Sequence, residues 1–141
     1  MKKFICIMIA LLISMNITLG YSSYWRKELQ NTAIELKGDS TIETIRNIEY
    51  WAATEIEYKF YWDPRGLYRT WATKEGDCTD NSMLIQEMLR HNGIRTKLVH
   101  GYCINIDRKK YKHDWLVFNR KMIIDSTDRC GEYKEVGHGV W

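Results

Sequence analysis

Gly76-Asp77-Cys78-Thr79-Asp80 runs straight into Asn81-Ser82-Met83-Leu84-Ile85-Gln86-Glu87-Met88-Leu89-Arg90, a stretch of good helix formers that ends ahead of Asn92-Gly93. Leu84, Ile85 and Met88 share one face, so the spacing predicts a helix from near Cys78 to Arg90, with Gly93 as its left-handed terminator. The thiol then stands at or beside a helix N-terminus, whose unpaired backbone N–H groups amount to roughly half a positive charge. That field favours thiolate over thiol, and an imidazole close by would favour it further. His113 and Asp125 follow on segments that read as strands, so a base and a carboxylate can reach the sulfur from a sheet.

Upstream of this run, Trp25, Leu29, Ala33 and Leu36 recur at helical spacing and predict a helix from Ser23 to Leu36, stopped by Gly38. Ser40 and Glu43 form the S-x-x-E capping pattern, and Ile42, Ile45, Ile48, Ala52 and Ile56 supply the buried stripe of a second helix over about Thr41 to Glu57. Asp63-Pro64-Arg65-Gly66 is a turn sequence, and Leu67 to Glu75 reads as an irregular approach to the cysteine. Downstream, Ile94 to Ile104 reads as a strand, Asn105 to Lys112 as a charged loop, and His113 to Phe118 and Met122 to Asp125 as paired strands. Helices followed by an antiparallel sheet define the α+β class.

Facing residues of an antiparallel pair share a side of the sheet, so His113 and Asp125 meet only if the connection between their strands has the right parity. Directly opposed or one diagonal step apart, they need an odd-length turn around Phe118 to Lys121, of three or five residues. A two-residue Asn119-Arg120 hairpin would place them on opposite faces unless a bulge intervened.

The 141 residues, 45% hydrophobic with a single proline, suit one packed domain. Residues 1–20 form a separate object: Lys2 and Lys3 precede an apolar run from Phe4 to Ile13, and Thr18 and Gly20 offer a small-x-small cleavage pattern. This predicts a secretory leader, with an uncleaved membrane anchor as the alternative, although Phe4 to Leu19 is short and polar for a spanning helix of about 20 residues. Residues 21–141 would then be the mature domain, secreted, periplasmic or in the cell envelope.

The leader holds two of the 21 basic residues, so the remainder is close to neutral against 18 acidic ones. Arg108, Lys109, Lys110 and Lys112 read as a solvated loop, and no basic stripe suggests a nucleic-acid partner. Cys6 lies in the leader, which leaves Cys78, Cys103 and Cys130 after export. An odd number in an oxidising compartment suggests one disulfide and one free thiol. Cys103 with Cys130 is the pairing that keeps the helix-end cysteine free, though the other two pairings stay open. Without paired C-x-x-C spacing, neither a metal nor another cofactor is expected.

Five stretches in order, Gly76 to Asp80, Leu89 to Arg95, Gly101-Tyr102, His113 to Val117 and Ile124 to Thr127, resemble the core of the transglutaminase-like superfamily, over about residues 40 to 127. The resemblance implies a papain-like fold in which Cys78 is the nucleophile, His113 in its H-x-W setting the base, and Asp125 in D-x-T the residue that orients the imidazole. Asp114 or Asp128 could replace Asp125. The Cys78 backbone N–H is the family-like oxyanion donor, and Trp71 is a candidate for a second. Tyr58, Phe60, Tyr61, Trp62, Tyr68 and Trp71 cluster upstream of the nucleophile, where a substrate groove would lie. Asp80 is expected to stabilise the helix start through the macrodipole. The implied activity is cleavage or acyl transfer at a peptide or carboxamide carbonyl through a thioester, on a peptide, protein or cell-wall peptide substrate. The alternative is a domain of the same fold that binds or scaffolds without turnover, and a membrane becomes a partner only if the leader is retained.

Overall fold

The computed structural model describes residues 24–127 and 130–136, so the leader expected over residues 1–20 lies outside the described residues, as does Asp128. The elements, in chain order, are α1 over residues 24–35, α2 (Thr41–Glu55), β1 (Glu57–Tyr58), α3 (Leu67–Thr73), β2 (Glu75–Gly76), α4 (Cys78–His91), β3 (Lys97–Ile104), β4 (Lys110–Phe118), β5 (Met122–Ile124) and β6 (Glu132–Glu135). β3 to β6 form an antiparallel sheet in the order β5-β4-β3-β6. The class is α+β, with helices on a curled antiparallel sheet.

Both long helices are capped as their sequences suggest. Ser40 Oγ accepts from the Glu43 N–H at 3.1 Å, but the Glu43 carboxylate reaches one residue beyond the usual box and accepts from the Asp39 N–H at 2.9 Å. α4 ends in a Schellman turn: Gly93 has φ 73°, its N–H donates to the Arg90 carbonyl, and the Ile94 N–H donates to Leu89.

The core is the meeting place of Leu29 and Ala33 from α1, Ile45, Ile48 and Ala52 from α2, Leu84, Ile85, Met88 and Leu89 from α4, and Leu116 and Ile124 from the sheet. Each fully buried Leu or Ile side chain contributes roughly 1.5–3 kcal/mol of transfer free energy. Ile42, expected in the buried stripe, is exposed. It lies in the first turn of α2, beyond the edge of the core that its neighbours one and two turns later fill.

The segment expected to approach the cysteine irregularly is instead ordered. Gly66, at φ 79°, precedes α3, and Lys74, at φ 54°, ends it. β1 and β2 then form a two-residue parallel ladder, Glu57 beside Glu75 and Tyr58 beside Gly76. The charged loop is also shorter than its composition suggests, because β4 begins at Lys110, and His113 is the fourth residue of its strand rather than the first. β6, which pairs with β3, had no counterpart in the sequence reading.

The β4–β5 connection spans three residues, Asn119 to Lys121, and Phe118 faces Met122 across it. Asn119 and Arg120 both take left-handed φ, 49° and 61°, and the Lys121 N–H closes the turn on the Phe118 carbonyl at 3.2 Å. This is the backbone of a two-residue primed turn followed by one extra residue. The extra residue sets the register that carries Asp125 to the His113 side of the sheet.

Candidate active site

Asp77 is the N-cap of α4: its Oδ1 accepts from the Asp80 N–H at 3.0 Å. Burial holds the Asp77 carboxyl above the usual range, with the Asp80 N–H opposing that shift and the Asp80 charge adding to it. Cys78 is the first residue of the helix, half-buried, with a free thiol. Gly76 before it allows a close approach, since a Cβ there would stand 2.8 Å from the Asp80 Cβ.

The helix end sits where the sheet leaves room for it. β5 pairs only with residues 116–118 of β4, so the earlier half of β4 lacks a neighbouring strand on that side. α4 takes the place: Ser82 Oγ donates to the Asp114 carbonyl at 3.1 Å. Cys78 meets His113 on one face of β4, while Thr79 Oγ1 donates to Asp114 Oδ2 on the other at 2.6 Å. Asp114, a considered substitute for Asp125, is thereby directed away from the imidazole and towards His100 Nδ1 at 2.7 Å. The alternation of side chains along β4 is the reason.

His113 Nε2 lies 2.6 Å from Asp125 Oδ2, and both side chains are 4% exposed. With Nε2 taken, the Nδ1 edge is left to face the thiol. Burial works against charge on His113 and is the largest single influence. The hydrogen bonds and charges of Asp125 and Cys78 together outweigh it and raise the imidazole from 6.5 to about 9. Burial likewise pushes Asp125 up, but the His113 hydrogen bond and charge, with two hydrogen bonds from Thr127, bring its carboxyl below the ordinary value.

The carboxylate is held at both oxygens. Oδ1 accepts from Thr127 Oγ1 at 2.6 Å and from the Thr127 N–H at 3.0 Å. Oδ2 accepts from Tyr133 Oη at 2.8 Å as well as facing His113. The Asp125 N–H donates to Glu49 Oε1 of α2 at 2.8 Å, which ties the end of β5 to the helical layer. The rings of Tyr111, Trp115 and Tyr133 surround the imidazole at centroid distances of 6.1, 6.1 and 6.3 Å.

Cys103 and Cys130 form a disulfide with Cα atoms 5.3 Å apart, and Cys78 is the free thiol among the described residues. No group of three or more His, Cys, Asp or Glu among the described residues could hold a metal. A cleft of about 600 Å³ runs past Ile56, Lys74, Asn81, Ser126 and Thr127, behind Asp125, and is lined by neither Cys78 nor His113.

The aromatic candidates do not gather around Cys78. Trp71 stacks on Trp51 at 5.7 Å with the Lys74 ammonium 3.3 Å from its ring centroid, in the core. Because residues 67–73 are helical, Trp71 falls on the face of α3 that packs on Trp51 of α2. Tyr68 packs on Trp25 at 5.6 Å. Trp62 is 92% exposed, edge-on to Phe60 in the connection between β1 and α3.

Asp80 does more than complement the helix dipole. Its Oδ1 accepts from the Arg65 N–H at 2.8 Å and from the Gly66 N–H at 3.0 Å, which pins the turn before α3 to the nucleophile's helix. Sequence reasoning also missed Glu49 and Tyr133. Thr127 was visible in the D-x-T motif, but nothing in the spacing of Glu49 or Tyr133 points to Asp125.

Over residues 28–121 the chain matches the model of the transglutaminase-like superfamily. No curated protein matches the sequence. Among solved structures, a candidate cysteine protease from Cytophaga hutchinsonii superposes with a TM-score of 0.60 at 18% identity, covering 74% of this chain and 38% of that one. A structure described as a TGase superposes with a TM-score of 0.56 at 15% identity, covering 74% and 31%. The chain spans about a third of the length of these two proteins, and at such identity the likeness is one of fold.

Proposed function

The chain belongs to the transglutaminase-like superfamily of cysteine hydrolases and acyltransferases, and on that footing we propose that it cleaves or transfers an acyl group at a peptide or carboxamide carbonyl through a thioester on Cys78. The observation that carries this reading is the buried His113–Asp125 pair at 2.6 Å, with the Cys78 thiol near enough to the imidazole to help raise it. His113 holds a proton up to about pH 9. Thiolate is the attacking species in such chemistry, and an imidazolium beside it both stabilises the negative sulfur and holds a proton for the leaving group. The new S–C bond forms as the carbonyl π pair moves to oxygen, beside the Cys78 N–H, which as the first helical N–H has no intrahelical partner. Collapse of that adduct expels the amine, which takes the His113 proton. Water or a second amine then gives its proton to His113 and attacks the thioester, and the sulfur leaves as thiolate. Asp125 keeps the imidazole oriented throughout.

Hydrolysis is favoured over transfer, since Cys78 is only half-buried among the described residues and so stays open to water. Export is part of the same reading, supported by the leader pattern in residues 1–20 and by a disulfide suited to an oxidising compartment. A silent scaffold with Cys78 locked in a disulfide is the less favoured reading, because Cys78 is the free cysteine among the described residues. Iodoacetamide should label Cys78 rapidly in the folded protein. Turnover of a panel of peptides, glutamine donors and wall fragments should vanish in Cys78→Ala, and activity retained in that variant would end the nucleophile assignment.

A further inference from the structure

We propose that Tyr133 is a positioning residue for this site, fixing the Asp125 carboxylate, and that it does so only while the Cys103–Cys130 disulfide holds β6 against β3. The inference rests on the function proposed for Cys78, but its geometry stands on other atoms. Tyr133 Oη donates to Asp125 Oδ2 at 2.8 Å, the same oxygen that faces His113 Nε2. Thr127 occupies the other oxygen with two bonds. Donors on both oxygens set the carboxylate plane, and Tyr133 and His113 converging on Oδ2 set its rotation towards the imidazole. Removing the tyrosine hydroxyl leaves Oδ2 with His113 as its remaining partner among the described residues and lets the carboxylate turn about its bond to Cβ.

β6 is poorly equipped to hold that hydroxyl in place unaided. It is four residues long, its Glu132, Lys134 and Glu135 are exposed, and its ladder is four pairs with β3 alone. Two features press it into position. The disulfide joins Cys130, two residues before β6, to Cys103, whose ladder partner is Tyr133 itself. Gly101 lacks the Cβ that would strike both the Lys134 carbonyl and the Trp115 ring, so β6 and the Trp115 side chain can close over the same spot. The Tyr133 ring then rests on Trp115 at 5.1 Å and on His113 at 6.3 Å. A dithiol would break the Cys103–Cys130 bond by passing its two hydrogens to the two sulfurs as it closes to its own disulfide, and the tether would be lost.

The test follows the His113 ring by NMR, which needs no turnover. In the oxidised wild type its titration midpoint should lie near 9. In Tyr133→Phe, which keeps the ring packing, it should move down as the freed carboxylate turns away from Nε2, a loss that must exceed the rise expected from taking a donor off Asp125. The Cys103→Ser/Cys130→Ser double variant, and the wild type after dithiol treatment, should show the same movement. Where a Cys78-dependent substrate is in hand, Tyr133→Phe should lower kcat roughly tenfold with KM within about twofold. An unmoved or raised midpoint in a folded Tyr133→Phe would overturn the positioning role, and an unmoved midpoint in the disulfide variants would overturn the tether. Failure of Cys78→Ala to abolish turnover strikes the proposed function instead, and leaves the midpoint readout intact.

Discussion

Below about pH 9 the His113 ring keeps a proton that a free imidazole would lose near 6.5, because Asp125 and Cys78 outweigh the cost of burying the charge. Activity that needs this proton for the leaving group should hold through neutral pH and fall along an alkaline limb near 9. Asp125→Asn keeps the shape but removes the charge. We expect turnover to drop by about 10²–10⁴-fold and the alkaline limb to move towards 6.5. Stopped assays across pH 5 to 10 check both, and a limb left near 9 in the variant would mean that Asp125 does not set the His113 charge. Cys78, His113 and Asp125 could be named from the sequence because each stands in a local pattern: a helix start, a strand and a D-x-T. Tyr133 could not, since its only qualification is a hydrogen bond that forms once β6 has paired.

At the scale of elements, the turn and the pin before α3 make separate predictions. Arg120 carries a side chain at φ 61°, a conformation that favours glycine, and Asn-Gly is the preferred pair for such a turn. Arg120→Gly should therefore stabilise by about 0.5–1 kcal/mol, visible as a rise in the denaturant midpoint, with activity unchanged. Asp80 is 1% exposed, accepts two backbone N–H groups through Oδ1, and has an Oδ2 without a hydrogen-bond partner in the structure. Asp80→Ala should cost about 2–4 kcal/mol by orphaning both N–H groups, whereas Asp80→Asn keeps the acceptor and should cost much less. Equal losses in the two variants would return Asp80 to a simple partner of the helix dipole. The parity of the β4–β5 turn was deducible before any coordinates, since it follows from the two-residue repeat of a strand. The helical state of residues 67–73 was not, because seven residues are too few for a period to stand out and their stability comes from Trp71 packing on Trp51.

For the whole molecule, the buried pair makes stability depend on pH with a definite sign. His113 is raised, so its contribution is complete below 6.5 and is lost as pH rises through about 9. Asp125 is lowered, so its contribution is present above its ordinary 3.8 and is lost as pH falls through its lower folded value. The gap in melting temperature between the wild type and Asp125→Asn should be widest between about pH 4 and 6.5 and should narrow towards pH 9. A gap constant across that range would contradict the coupling.

Local signals in the sequence by themselves determined α1, α2, α4 and the segments that form β3, β4 and β5: helical periodicity, Ser40 with Glu43, Gly93 after α4, and runs of branched and aromatic residues. They also determined which cysteine could open a helix, while the family resemblance supplied His113 and Asp125 as its partners, with Asp114 and Asp128 left open as substitutes. The tertiary structure alone decided that α4 occupies the edge of β4 left open by a three-residue β5, that Asp114 is turned away and Asp125 turned in, and that Trp71 belongs to the core. It also placed Glu49 and Tyr133 on Asp125 from 76 and 8 residues away along the chain. These are contacts between elements, and their free energy exists only when the chain has closed the long loops that bring those elements together.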